Sequence, residues 1–275
     1  MIKRRIILLL MVFPAVVSLA RPPVEPTVST GFSAGYQFHR SFSQQKTELK
    51  ILSGYPVIFG HMPSLAFTHN FYRKNSRHNL KLRVAKPFKL SADNGTGRNL
   101  LLSGEKSNYF RSTINYRINW PLFTRHWLEI RHGFTSGVLF ESREIAFLSG
   151  STERTSDINL FIGPALSANF PVNKSLSFFG IFDGHFYLPY FNYGKINTRN
   201  SNGQLLFESS YYGTYYQTIF RAGVNYRFFN QNDISVGFEK NDVVGFAASK
   251  PAFTTKGIVH HKLDRIMGIF VGITF

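Results

Sequence analysis

The chain has 275 residues, a formal charge of +17 and no cysteine, which excludes disulfides, a lipidated-cysteine anchor and thiolate metal sites. No apolar run after residue 20 is long enough for a membrane-spanning helix, so a helical membrane protein is excluded. Its 29 Phe and 13 Tyr in a chain only 43% hydrophobic suit a protein whose apolar residues alternate with polar ones.

Lys3, Arg4 and Arg5 open the chain, an apolar run follows from Ile6 to Val17, and Ser18-Leu19-Ala20 closes it. That pattern predicts a cleaved secretory signal peptide over 1–20, because the run is shorter than the roughly 20 residues a bilayer core needs. Arg21-Pro22-Pro23 then begins a short Pro-rich lead over 21–30. Losing three of the 32 basic residues with the signal leaves 29 against 15 acidic, a formal +14. These cations are spread along the chain rather than clustered, so outer-membrane lipid and lipopolysaccharide phosphates are the expected partners of an exported protein, and nucleic acid is not.

In chain order, ten segments alternate with a period of two, the mark of strands: about 31–42, 63–73, 78–88, 108–122, 126–142, 156–170, 175–190, 214–229, 233–246 and 264–275. The fourth shows it plainly, with Phe110, Ile114, Tyr116, Ile118 and Trp120 on one face and Arg111, Thr113, Asn115, Arg117 and Asn119 on the other. Links alternate between short (Lys74 to Arg77, Pro121 to Arg125, Pro171 to Lys174, Asn230 to Asn232) and long (43–62, 89–107, 143–155, 191–213, 247–263). Short turns on the periplasmic side and long loops outside predict an all-β, antiparallel, up-and-down transmembrane barrel over 31–275, of about ten strands, with eight to twelve open. The uncertainty in number includes a hairpin that 43–62 could hide around Ile51 to Phe59.

The last segment ends Met267-Gly268-Ile269-Phe270-Val271-Gly272-Ile273-Thr274-Phe275. Here the chain resembles Gram-negative outer-membrane β-barrel proteins of the small single-chain type, whose final strand ends in Phe with apolar residues at alternate positions. The resemblance implies that Met267, Ile269, Val271, Ile273 and Phe275 are read by the barrel-assembly machinery during biogenesis. It also implies a location in the cell outer membrane. Trp120, Phe123 and Trp127 around one turn, and Tyr187, Tyr190, Tyr193, Tyr211, Tyr212, Tyr215 and Tyr216 near one long loop, are expected to form interfacial girdles.

The opposite faces would turn Lys81, Arg83, Arg111, Arg117, Glu129, Arg131, Asp183, His185, Arg221 and Arg227 into the lumen, with Glu239 and Asp264. Ten strands enclose a bore that side chains largely fill. Arg/Lys to Asp/Glu pairs plugging it are therefore favoured over a narrow anion-preferring solute channel. A structural or loop-mediated interaction role follows, with no cofactor, and the loop ligand is not written in the sequence. Asp183 and His185, two apart on one strand, would share the lumen and could act as an oriented general base. A lone Asp-x-His is better read as a lumenal hydrogen-bond pair, so an enzyme is the lesser alternative. His260-His261 lacks a third ligand for a metal, and Asp93-Asn94-Gly95 is turn chemistry.

Overall fold

A computed structural model describes residues 28–46, 51–52, 57–86, 89–93, 108–146, 150, 152–188, 193–228, 232–249 and 258–275. The signal segment 1–20, Asn94-Gly95-Thr96 and Tyr190 lie outside this set, as do the side chains of Tyr193, Tyr211, Tyr212, His260 and His261.

The described strands are β1 (Val28–Lys46), β2 (Ile51–Leu52), β3 (Val57–Arg73), β4 (Ser76–Ala85), β5 (Lys89–Asp93), β6 (Asn108–Arg125), β7 (Leu128–Ala146), β8 (Thr152–Pro171), β9 (Leu176–Tyr187), β10 (Tyr193–Arg199), β11 (Leu205–Phe228), β12 (Asn232–Ser249) and β13 (Ile258–Thr274). Ten of them, all but β2, β5 and β10, form a closed ring in which each is antiparallel to the next and β13 returns to β1. Closure is register-perfect from Gly31 opposite Thr274 to Lys46 opposite Val259. Beyond it, Thr30 N donates to Phe275 O at 3.1 Å and Phe275 N to Thr30 O at 2.8 Å. Residues 28–30, assigned above to the lead, are thus the first of β1.

The ten alternating segments each fall on one barrel strand. The three extra strands lie in the segments read as long links, and they lengthen hairpins rather than widen the ring. β2 pairs with the end of β1, and β5 with the start of β3. β10 lies between β8 and β11 and carries them past the end of β9. The suspected hairpin at 51–59 is therefore an extension of β1–β3. Pro121 is not in the turn but inside β6, where the register with β7 shifts between Pro121 and Phe123. A bulge there absorbs the missing N–H donor. The turn itself is His126-Trp127. In the β8–β9 turn, Asn173 Oδ1 accepts from the N–H groups of Ser175 and Leu176, both at 2.8 Å, the self-capping turn that asparagine favours.

Outward positions carry large apolar side chains, among them Leu65, Ile114, Phe134, Ile162, Phe186, Val236 and Ile269, which is 63% exposed. An apolar belt around a closed ring has no counterpart in water-soluble proteins and is satisfied by lipid, where closure leaves no strand edge unpaired. Met267, Ile269, Val271 and Phe275 are exposed on this outer face. At the short-turn end Trp127 packs edge-on to Phe123 and Phe170, with ring centres 6.4 and 6.1 Å apart.

Candidate lumenal site

The bore has three layers. At mid-height Glu239, on β12, is 1% exposed. It accepts from both terminal nitrogens of Arg83 on β4, one at 2.7 Å, from Arg221 Nε on β11, and from Gln37 Nε2 on β1 at 3.1 Å. Four strands are thus tied to one carboxylate. Two guanidinium groups on one buried anion satisfy the geometry a buried charge needs, since arginine forks match a carboxylate. The parity of each strand aims these side chains inward: Glu239 and Asn241 share a face, as do Arg221, Ile219 and Gln217.

Toward the long-loop end follows a polar step. Gln217 Nε2 donates to Asn241 Oδ1 at 2.7 Å, while its Oε1 accepts from Tyr187 Oη and lies 3.1 Å from His185 Nδ1. Beside it packs a buried cluster of Leu139, Phe161, Tyr187, Tyr215 and Val243. Phe161 stacks on the His185 ring at 4.0 Å and meets Tyr187 edge-on at 5.8 Å. Nearby, Tyr109 Oη donates to Glu141 at 2.6 Å, Arg111 stands 3.5 Å from the same carboxylate, and His39 Nε2 stands 3.8 Å from Asp264.

Toward the short-turn end the bore opens into a vestibule of about 770 Å³, lined by Arg77, Lys81, Arg117, Glu129, Arg131, Asp183, Arg221, Arg227 and Asp233 with neutral neighbours. Arg131 pairs with Glu129 at 2.7 Å and Arg227 with Asp233 at 3.0 Å. Arg117 approaches Asp183 at 3.5 Å and donates to Leu166 O at 2.8 Å.

Of the ten residues read as lumenal, Arg111, Arg117, Asp183 and His185 are buried, Lys81, Arg83, Glu129, Arg131 and Arg221 are half-buried along the bore, and Arg227 sits more openly at the mouth. Asp183 and His185 share a face, but no hydrogen bond joins them. Asp183 leans to Arg117 and His185 to Gln217. Gly184 between them lies flat against Gly163, where an added Cβ would stand 1.8 Å from Gly184 O. Two of the tyrosines assigned to a girdle, Tyr187 and Tyr215, are instead in the lumenal cluster. Their parity with His185 and with Gln217 was the signal for it. Tyr216, the next residue, does face outward. Gln37, His39, Tyr109, Glu141, Gln217 and Asn241 also belong to the lumen and were not singled out in the sequence. Among the described residues no group of three metal-ligating side chains gathers.

No family model matches the chain, and no curated protein matches it. Solved structures do. The outer-membrane protease OmpT from Escherichia coli aligns over 92% of this chain and 98% of its own, at 9% identity and a TM-score of 0.51. The chain has the outer-membrane β-barrel fold. The translocator domain of the autotransporter NalP from Neisseria meningitidis aligns over 99% of this chain and 94% of its own, at 9% identity and a TM-score of 0.42. Neisserial surface protein A aligns over 91% and 98%, at 9% identity and a TM-score of 0.35. Identities this low reach the fold of the outer-membrane barrel and not its role.

Proposed function

We propose that this outer-membrane barrel sits in the outer membrane of a Gram-negative cell as a non-conducting ring, and that its outward work is done at the long-loop end. The observation that carries this is the layer at Glu239. A carboxylate bound by Arg83, Arg221 and Gln37 from three other strands leaves Arg83 and Arg221, at the waist of the bore, without the free field an anion path needs. The buried cluster above it takes up further lumenal space along β7, β8, β9, β11 and β12.

What projects is ordered. The β8, β10 and β11 extension ends in a turn where Asn200 Oδ1 accepts from Asn202 N at 3.0 Å and Gln204 N at 2.9 Å, with Gly203 at φ +77°. Leu205 and Leu206 are exposed beside it, apolar surface on a strand-paired arm, and binding residues are often carried on such projecting segments. The lumenal hydrogen-bond reading of Asp183 and His185 is favoured over general-base chemistry, because His185 is fully buried under Phe161 and its own carboxylate neighbour does not orient it.

Planar-bilayer recording of the refolded mature chain tests this. A silent bilayer is expected from protein whose gel mobility shifts on heating. Steady anion-selective steps that shrink when Arg111 or Arg227 is neutralised would establish a channel instead.

A further inference from the structure

Whether or not the bore conducts, its short-turn half has the shape of a binding site. The vestibule lining carries six basic side chains, Arg77, Lys81, Arg117, Arg131, Arg221 and Arg227, and three acidic side chains, Glu129, Asp183 and Asp233. Those carboxylates are engaged: Glu129 by Arg131, Asp233 by Arg227, and Asp183 by Arg117. Arg221 is taken by Glu239 at the floor. Two cations remain. Among the described residues neither Lys81 nor Arg77 forms an ion pair; Lys81 stands in the fields of Arg83 and Arg221 as well as of Glu239 and Asp183, and Arg77 lies over the Tyr72 ring, 5.7 Å from its centre.

With four of the six cations paired, the wall keeps an excess of positive charge at Lys81 and Arg77 that an anion would offset. The vestibule is open to solvent on one side and floored by the Glu239 layer on the other, so an anion would enter from the short-turn end. Its wall also presents neutral hydrogen-bonding groups, Asn79, Asn115, Asn119 and Asn225.

We propose that the vestibule binds a small, multiply charged phosphate-bearing anion from the short-turn side, which in the outer membrane is the periplasmic side, with Lys81 and Arg77 as its principal contacts. A lysine supplies a mobile point charge and an arginine a planar fork, and the two together suit a phosphate group. Arg131, which flanks Tyr72 from 5.9 Å as Arg77 does, frames the entrance.

Titration calorimetry of the detergent-folded mature chain with inorganic pyrophosphate, in phosphate-free buffer, tests the site. Saturable binding that weakens steeply with added salt is expected, and Lys81→Gln or Arg77→Gln should each weaken it on the order of tenfold, the loss of one charge-assisted contact. Lys195→Gln on the projecting arm should leave it unchanged. Each variant is first shown folded by its heat-dependent gel mobility, and the two substitutions are independent, so failure of one to fold leaves the other. No binding by the folded parent, or equal binding by both folded variants, would overturn the proposal. A protein that conducts in a bilayer yet binds pyrophosphate through Lys81 would remove the closed-bore reading and leave this site standing.

Discussion

Replacing Glu239 with Ala is expected to lower the stability of the folded barrel by about 3–5 kcal/mol, the cost of leaving a buried charge uncompensated. Glu239 neutralises Arg83 and Arg221, whose side chains are only 16% and 13% exposed. Removing it would leave both guanidinium groups, with Lys81 close by, facing one another with their shared anion gone. Glu239→Gln keeps the shape and one acceptor but not the charge, so its effect should fall between. Removing Arg221 together with Glu239 should cost less than the sum of the two single changes, because the residues touch. Urea unfolding in lipid vesicles measures this. A Glu239→Ala protein within about 1 kcal/mol of its parent, the worth of an exposed ion pair, would mean that the layer is hydrated and not a plug.

Phe161→Ala should cost a similar amount, about 3–5 kcal/mol, by a different route. Phe161 is 2% exposed and fills the space between the His185 ring and Tyr187, so truncation leaves a cavity between strands fixed by their hydrogen-bond ladders. His185→Phe makes the instructive contrast. His185 Nε2 is buried without a protein partner, and an apolar ring of similar size still stacks on Phe161. That change should cost little, since it removes an unsatisfied polar atom. If His185→Phe proved as damaging as Phe161→Ala, the contact with Gln217 rather than ring packing would be holding the layer. The same unfolding assay separates the two.

Much of the barrel is legible in the sequence because lipid imposes a simple rule on it. Every second residue from Phe110 to Trp120 or from Ile158 to Leu166 must tolerate lipid on the outer face, and the period survives along each strand. Interruptions were harder. Pro121 reads as a turn residue, and only the bulge it sits in reveals otherwise. The 191–213 segment reads as a loop by composition, yet β10 and the long start of β11 continue the sheet, because pairing with β8 supplies backbone partners that composition does not encode.

The lumen was legible in its charged positions, less so in its neutral ones such as Gln37, Tyr187 and Gln217, and opaque as a network. Parity turns Arg83, Arg221 and Glu239 inward, but their meeting depends on how the ring staggers as it closes, which no local pattern states. Gln37 and Glu239, hydrogen-bonded at 3.1 Å, are 202 residues apart in the chain. Nor is the inner face uniformly polar. Phe161, Ile219, Val243 and Ile266 occupy lumenal positions and make the bore a small core in its own right, as expected where few strands leave little room.

The absence of cysteine makes the central claim directly measurable. Ser177 lines the vestibule near the short turns, and Ser201 is exposed at the tip of the projecting arm. Each is replaced by Cys in cells making the protein, and a polymer-linked maleimide too large for general diffusion pores is added outside. Ser201→Cys should label on intact cells, while Ser177→Cys should label only after the outer membrane is opened and should then react readily. Labelling of Ser177→Cys on intact cells would contradict a barrel whose vestibule opens toward the periplasm and whose projecting arm lies outside.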